Sequence, residues 1–244
     1  MNKNTIGYYE NSESKLLNDL DNICSSMRNE VALTYGFQFS EKLFKDINSE
    51  YHKLIPHIPH ISGIRAGYLN KFLIITCQEM AVYKAMKNNH RPASEAWLLC
   101  HKTITKYMQN YPKWKLWVLQ KIMFSTVVRK IIRKRQELGQ IGQFGDFEIE
   151  YLVGDKDSFD FGVNYRKCGN YNFAIKHGCA EFAPYICMSD IALSNSMGWG
   201  LTRTQTLSDG CEYCDFRFKK GGKTNISSKT PEVDRVIKLT SDYF

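Results

Sequence analysis

No window of the sequence is apolar for long enough to cross a bilayer as a helix, which excludes a membrane-spanning helix. Stretches such as 72–76 are the size of core segments. The opening M-N-K-N-T-I-G-Y-Y-E lacks the apolar run of a secretory signal. Internal repeats and low-complexity tracts are missing too, so the chain is not a repeat array. There is one C-x-x-C, Cys211 and Cys214, and no second pair to complete the usual four-ligand zinc site. Finally, no acidic residue lies between Glu95 and Glu137.

What is present is an ordinary globular balance. The 244 residues are 43% apolar and 24% charged, enough for one large domain or two small lobes with a proper core. Eight cysteines without an export signal argue for reduced thiols in a reducing compartment, so a cytoplasmic location is expected. Their scatter over positions 24 to 214 is not that of a small disulfide scaffold. The net charge of +8 is concentrated in the acid-free interval, which holds Lys102, Lys106, Lys113, Lys115, Lys121, Arg129, Lys130, Arg133, Lys134 and Arg135. A basic helix face can be a nucleic-acid footprint. No recognised motif accompanies it here, so a solvated face or a field that draws in an anionic small molecule is preferred.

Periodicity gives the elements. Helical spacing covers 11–34, 41–54, 68–87, 95–110 and 113–138. Ser40 and Ser94 are expected as caps, and Pro56 and Pro59 as breakers. The helix over 113–138 is apolar on most sides as far as Val128, so it is expected to run through the core and to end in solvent. At Gly139 the period changes from 3.6 to 2. Strands are expected over 147–154 and 159–166, then a short helical piece over 171–176 and a helix over 180–196. Strands over 200–207 and 212–219 follow, joined by a turn at 208–210. The expected fold is α+β: a helical lobe, 1–140, packed on a ββααββ lobe, 141–220, with a four-stranded, mainly antiparallel sheet. A mobile stretch, 220–230, opens the tail 221–244, and the whole is expected to be one folding unit.

The chemistry-bearing residues gather between Cys168 and Phe218. Cys187 and Asp190 are three apart on an expected helix and project from one side. Pro184 in its first turns would put Cys187 near the positive helix end, which favours thiolate. Asp190 could bind an N–H-rich group or move a proton. Spacing alone favours a buried cysteine and a surface aspartate that share a turn by chance. Arg203, on an expected strand beside Thr202, Thr204 and Thr206, could hold a carboxylate in a two-pronged contact, or be a salt-bridged surface arginine. Cys168 ends a strand. Residues three apart on a strand face opposite sides, so Cys211 and Cys214 should not chelate, and Cys214 should face the site or core. His177 is the single histidine of the stretch and could activate a thiol or cap a helix. His52, His57 and His60 cluster around prolines without metal-site spacing, and a turn with exposed histidines is expected there.

The motifs R-K-C at 166–168, C-M-S-D at 187–190, R-T-Q-T-L at 203–207 and G-C-E-Y-C-D-F-R-F at 210–218 resemble the L-2-amino-thiazoline-4-carboxylic acid hydrolase family. I-P-H-I-P-H-I-S-G at 55–63 and A-V-Y-K-A-M-K at 81–87 have the same flavour, so the resemblance spans about residues 50–220. The G-x-x-x-C-D-F ending is also faintly similar to 4-vinyl-reductase-type binding domains. The resemblance implies hydrolysis of a C–N or C–S bond in a small cyclic amidine or thiazoline carboxylate. It matches Cys187 and Asp190 to the family's C-x-x-D, Cys168 to its R-x-C and Cys214 to its C-D-F. Cys211 departs from the acidic or polar residue expected there. The catalytic set is then Cys187, Asp190 and Cys168, with Arg203, Cys214, Thr204 and His177 on the substrate. No metal or cofactor is expected. The expected partner is a small-molecule substrate rather than nucleic acid or a membrane, and a homo-oligomer stays open. The alternative is a non-catalytic binding or resistance protein of the same fold.

Overall fold

The computed structural model describes residues 4–63, 66–139, 141–155 and 157–240. In chain order its helices are α1 (Glu13–Ser25), α2 (Arg28–Tyr35), α3 (Phe37–Leu54), α4 (Gly67–Asn88), α5 (Ala93–Asn110), α6 (Lys113–Met123), α7 (Thr126–Glu137), α8 (Gly169–Lys176), α9 (Ala183–Ile186), α10 (Asp190–Met197) and α11 (Pro231–Thr240). Its strands are β1 (Asn4–Thr5), β2 (His60–Ile61), β3 (Gly142–Phe144), β4 (Phe147–Val153), β5 (Phe161–Lys167), β6 (Leu201–Arg203), β7 (Cys214–Phe218) and β8 (Asn225–Ile226). The fold is α+β. Among the described residues, no helix is long and apolar enough to cross a membrane.

The chain divides into two compact units, each built from separate stretches. Unit 1 is 1–107 with 169–186; unit 2 is 108–168 with 187–244. The change of period at Gly139 therefore lies inside unit 2, between α7 and β3.

Unit 1 is helical and organised by α4. Leu73, Cys77, Met80, Ala81 and Ala85 on this helix have no accessible surface, and Val82, Tyr83 and Met86 bury a second side. A helix apolar on most faces can only sit inside. α3 lays Leu43, Phe44, Ile47 and Tyr51 against it at helical spacing. Ser40 does not cap α3. It is buried within that helix, and its Oγ donates to the Arg28 carbonyl. The expected helix over 11–34 is two, α1 and α2. The chain leaves helical geometry around Met27, and Gly36 (φ 92°) turns α2 into α3. The Asn70 side chain both accepts from the Ile61 N–H and donates to the Ile61 carbonyl, at 2.9 Å each, tying β2 to α4. Behind α8, Phe182 stacks on Tyr83 (4.7 Å between centroids), and the Tyr83 hydroxyl donates to Glu181 (2.8 Å).

Unit 2 carries the sheet, in the order β3-β4-β5-β7-β6-β8. It has six strands rather than four and is mixed: β6 and β8 run parallel, and every other neighbouring pair is antiparallel. The four expected strands are its interior. The added edge strands are three and two residues long, too short to show a period of two. β6 is shorter than expected because the Asp215 side chain captures what would continue it. Its Oδ1 accepts from the N–H groups of Thr204 (2.9 Å) and Gln205 (2.8 Å), and its Oδ2 from the Thr204 hydroxyl (2.7 Å). α7 packs on β4, with the Val153 N–H donating to Gln136 Oε1 (2.7 Å).

The expected helix over 113–138 breaks at Ser125, whose side chain caps α7. It does not run through a core: no residue of α6 is buried, and α7 buries Ile132 alone. The stretch 220–230 holds β8 and contacts described below, and α11 is a full ten-residue helix with Val233, Val236 and Ile237 buried.

Candidate functional site

The expected single helix over 180–196 is a broken run. A 3₁₀ turn (Ala180–Phe182) leads into the four-residue α9, then a second 3₁₀ turn (Cys187–Ser189) and α10. Cys187 therefore sits in a tight turn, and Asp190 opens α10. α9 is too short to supply the field of a helix end. The thiolate expected from that field is not favoured, because burial pushes the Cys187 thiol above its ordinary value. The Arg203 guanidinium and a hydrogen bond from Ser208 pull the other way without prevailing, while Asp190 and Asp209 add to the rise. The residue is half-buried, and Ser208 Oγ lies 3.5 Å from its sulfur.

Arg203 organises the site. It leaves β6 with no accessible surface, and its guanidinium lies 5.1 Å from the Phe216 ring centroid. Nη1 donates to Asp190 Oδ2 at 2.7 Å. Nη2 donates to the Cys187 carbonyl at 2.6 Å and lies 3.7 Å from the Met188 sulfur. Nε has no partner among the described residues. The two prongs expected to hold a substrate carboxylate are thus already engaged, and they fix Cys187 and Asp190 relative to each other. Burial raises the Asp190 carboxyl above its ordinary range, and Arg203 only partly offsets this. Asp190 Oδ1 takes no hydrogen bond from the described residues, so this oxygen is the one that could meet a ligand.

Cys214 starts β7, is buried, and accepts a hydrogen bond from the Leu207 N–H (3.2 Å). Its thiol is pushed far up, first by burial and then by the proximity of Cys187 and Cys168. The cysteines of R-K-C, C-M-S-D and C-D-F therefore meet in one neighbourhood of unit 2. Thr204 is exposed and bound to Asp215. His177 lies in unit 1, 5.2 Å from His57 and 4.4 Å from Phe173 between ring centroids, and is not in the stretch that holds the Cys187 site. Of the other histidines, His52 contacts Glu13, while His60 stacks on Tyr8 and hydrogen-bonds the Tyr9 hydroxyl. Among the described residues, no group of three potential ligands could hold a metal.

The loop that follows β6 also belongs to this region, and little in the sequence marks it. Thr206 is buried, and its hydroxyl bonds Ser208 and Asp209. Asp209 in turn accepts from the Ser228 hydroxyl (2.6 Å) and the Thr230 hydroxyl (3.1 Å), tying the segment after β8 to the site loop. Burial alone would raise the Asp209 carboxyl, but hydrogen bonds from Ser228, Thr206, Thr230 and the Lys229 N–H together hold it below the ordinary range. The only sequence signal was the S-D-G at 208–210, which looked like a plain turn.

The protein family described as L-2-amino-thiazoline-4-carboxylic acid hydrolase matches residues 73–218. The chain belongs to this family. No curated protein and no solved structure gives a significant match. The span shared with the hydrolase family runs from α4 to the end of β7. It contains Cys168, Cys187, Asp190, Arg203 and Cys214, and also the Asp215 that bends the chain out of β6. Membership supports a hydrolase-like function; the site geometry is what bears on how such a reaction could run.

Proposed function

We propose that the chain is a cysteine-dependent hydrolase of a small cyclic amidine, with a thiazoline carboxylate as the substrate class. The observation that carries this reading is the bonded set of Cys187, Asp190 and Arg203, with one Asp190 oxygen left open, inside the span matched by the family.

In this reading the neutral Cys187 thiol gives its proton to Asp190 as the sulfur adds to the amidine carbon. The C=N electron pair moves to nitrogen, which takes that proton. The adduct collapses with loss of the ring C–S or C–N bond, and the leaving atom is protonated. Water then attacks the carbon still bound to Cys187, releasing a carbamoyl product and restoring the thiol. Arg203 is a positioning residue, because both of its Nη groups hold the reacting pair in place. Cys214 stays a neutral thiol, with Cys168 close to it.

Cys187→Ser is expected to lose turnover by at least about a thousandfold, and with it any covalent adduct seen by mass spectrometry of the quenched wild type. Full activity in that variant ends the proposal. The raised thiol favours a second reading, a binding protein of the same fold without turnover. Thiol labelling in the presence and absence of a thiazoline carboxylate separates the two. A catalytic Cys187 is modified by the thiazoline carboxylate itself, as an adduct in the quenched protein, and is shielded from the probe while product forms. Slow, uniform labelling with no product supports the binder.

A further inference from the structure

α6 reads K-W-K-L-W-V-L-Q-K-I-M, an apolar helix of the kind that normally lies inside, yet none of its residues is buried. Trp114 is 66% exposed, Trp117 59% and Ile122 57%, with Val118 and Leu119 also exposed. At 3.6 residues per turn, Trp117, Lys121, Trp114, Val118 and Ile122 share one arc of about 140°, flanked by Lys113 and Lys115. The opposite side is fixed: Gln120 Nε2 donates to the Met197 (3.2 Å) and Gly198 (3.0 Å) carbonyls at the end of α10. The lysine heads stay close to the rings, Lys115 Nζ 5.6 Å from Trp114 and Lys121 Nζ 5.2 Å from Trp117. α7 continues the pattern, with Val127 and Ile131 exposed beside Lys130 and Lys134.

We infer that the outward face of α6 docks on an anionic lipid surface, as a peripheral and not a spanning contact. Tryptophan rings are at home at the headgroup level, and lysine stems can lie along apolar surface while their charges reach lipid phosphates. The α6 sequence carries Lys113, Lys115 and Lys121 and no acid, which complements such a surface and opposes pairing with a second copy of the same face. Nucleic acid would answer the cations but not the exposed Trp, Val and Ile. This inference does not depend on the reaction proposed for the Cys187 set.

The test is sedimentation of the full chain with phosphatidylcholine vesicles, with and without about 30% phosphatidylglycerol. Tryptophan emission is read alongside. Binding is expected only with the anionic lipid, with a blue shift and weakening as salt rises. The triple variant Lys113→Gln, Lys115→Gln, Lys121→Gln should lower the partition coefficient about a hundredfold. Trp114→Ala with Trp117→Ala should lower it by a further measurable factor. Lys220→Gln, Lys223→Gln, Lys229→Gln removes the same charge elsewhere on unit 2 and should leave most of the binding. Equal loss in both triple variants, equal binding to neutral vesicles, or no binding overturns the inference. So does self-association through this face, or retention on DNA, without vesicle binding.

Discussion

Arg203 has no accessible surface, and a cation so placed needs a compensating charge and filled hydrogen bonds. Asp190 supplies the charge, and the Cys187 carbonyl the second acceptor. The two partners are not equivalent. Asp190→Asn keeps the fully buried cation and removes its partner charge, whereas Arg203→Met takes the buried charge away and leaves a carboxyl that is 22% exposed and that burial already shifts toward taking a proton. Asp190→Asn is therefore expected to cost about 3–5 kcal/mol of stability, and Arg203→Met clearly less. Urea unfolding at pH 7 compares them, and a larger loss in Arg203→Met refutes this ordering. The motifs named both residues, but nothing in the spacing said that they bind each other, because a thirteen-residue separation across a strand and a broken helix has no periodic signature.

At the scale of elements, β6 depends on how its chain enters. Gly200 has φ 54°, and a Cβ there would lie 2.1 Å from the Lys219 carbonyl oxygen. Gly221 also has a positive φ (70°), but its Cβ would meet nothing within 4 Å. Gly200→Ala combines backbone strain with a backbone clash, for an expected loss of roughly 2–5 kcal/mol. Gly221→Ala carries the strain alone, about 1–2 kcal/mol. Thermal unfolding of the two variants side by side checks the difference; equal shifts would mean that the Lys219 carbonyl yields freely. Period-two alternation revealed β4, β5 and β7 because each is five to seven residues long. It overran β6, since Asp215 competes for backbone N–H groups through a side chain eleven residues from Thr204. The same pattern logic placed 113–138 in a core. It read apolar content correctly, but apolar content does not tell a helix's neighbour from its environment.

Over the whole molecule, the two units respond to acid through different groups. Periodicity marked the change at Gly139, yet the units are assembled from stretches on both sides of it, because local geometry does not determine which elements pack together. In unit 1, burial lowers His101 from an ordinary value of 6.5 to about 4, with the ring stacked on Trp97 (4.8 Å). His177 and His60 are lowered as well, both chiefly by burial. Below pH 6.5 the unfolded chain takes up a proton that folded His101 refuses, so stability present at neutral pH falls as the pH drops toward about 4. At 1.36 kcal/mol per pH unit the loss from this residue is about 3 kcal/mol. In unit 2, Asp209 is held below its ordinary range, so its contribution persists above pH 3.8 and is lost only under stronger acid. Unit 1 should therefore weaken first on acidification. A series of urea titrations between pH 7 and 4.5 should show a falling midpoint in the wild type and a flatter one in His101→Phe. An unchanged slope in that variant would mean that another group of unit 1 takes up the proton.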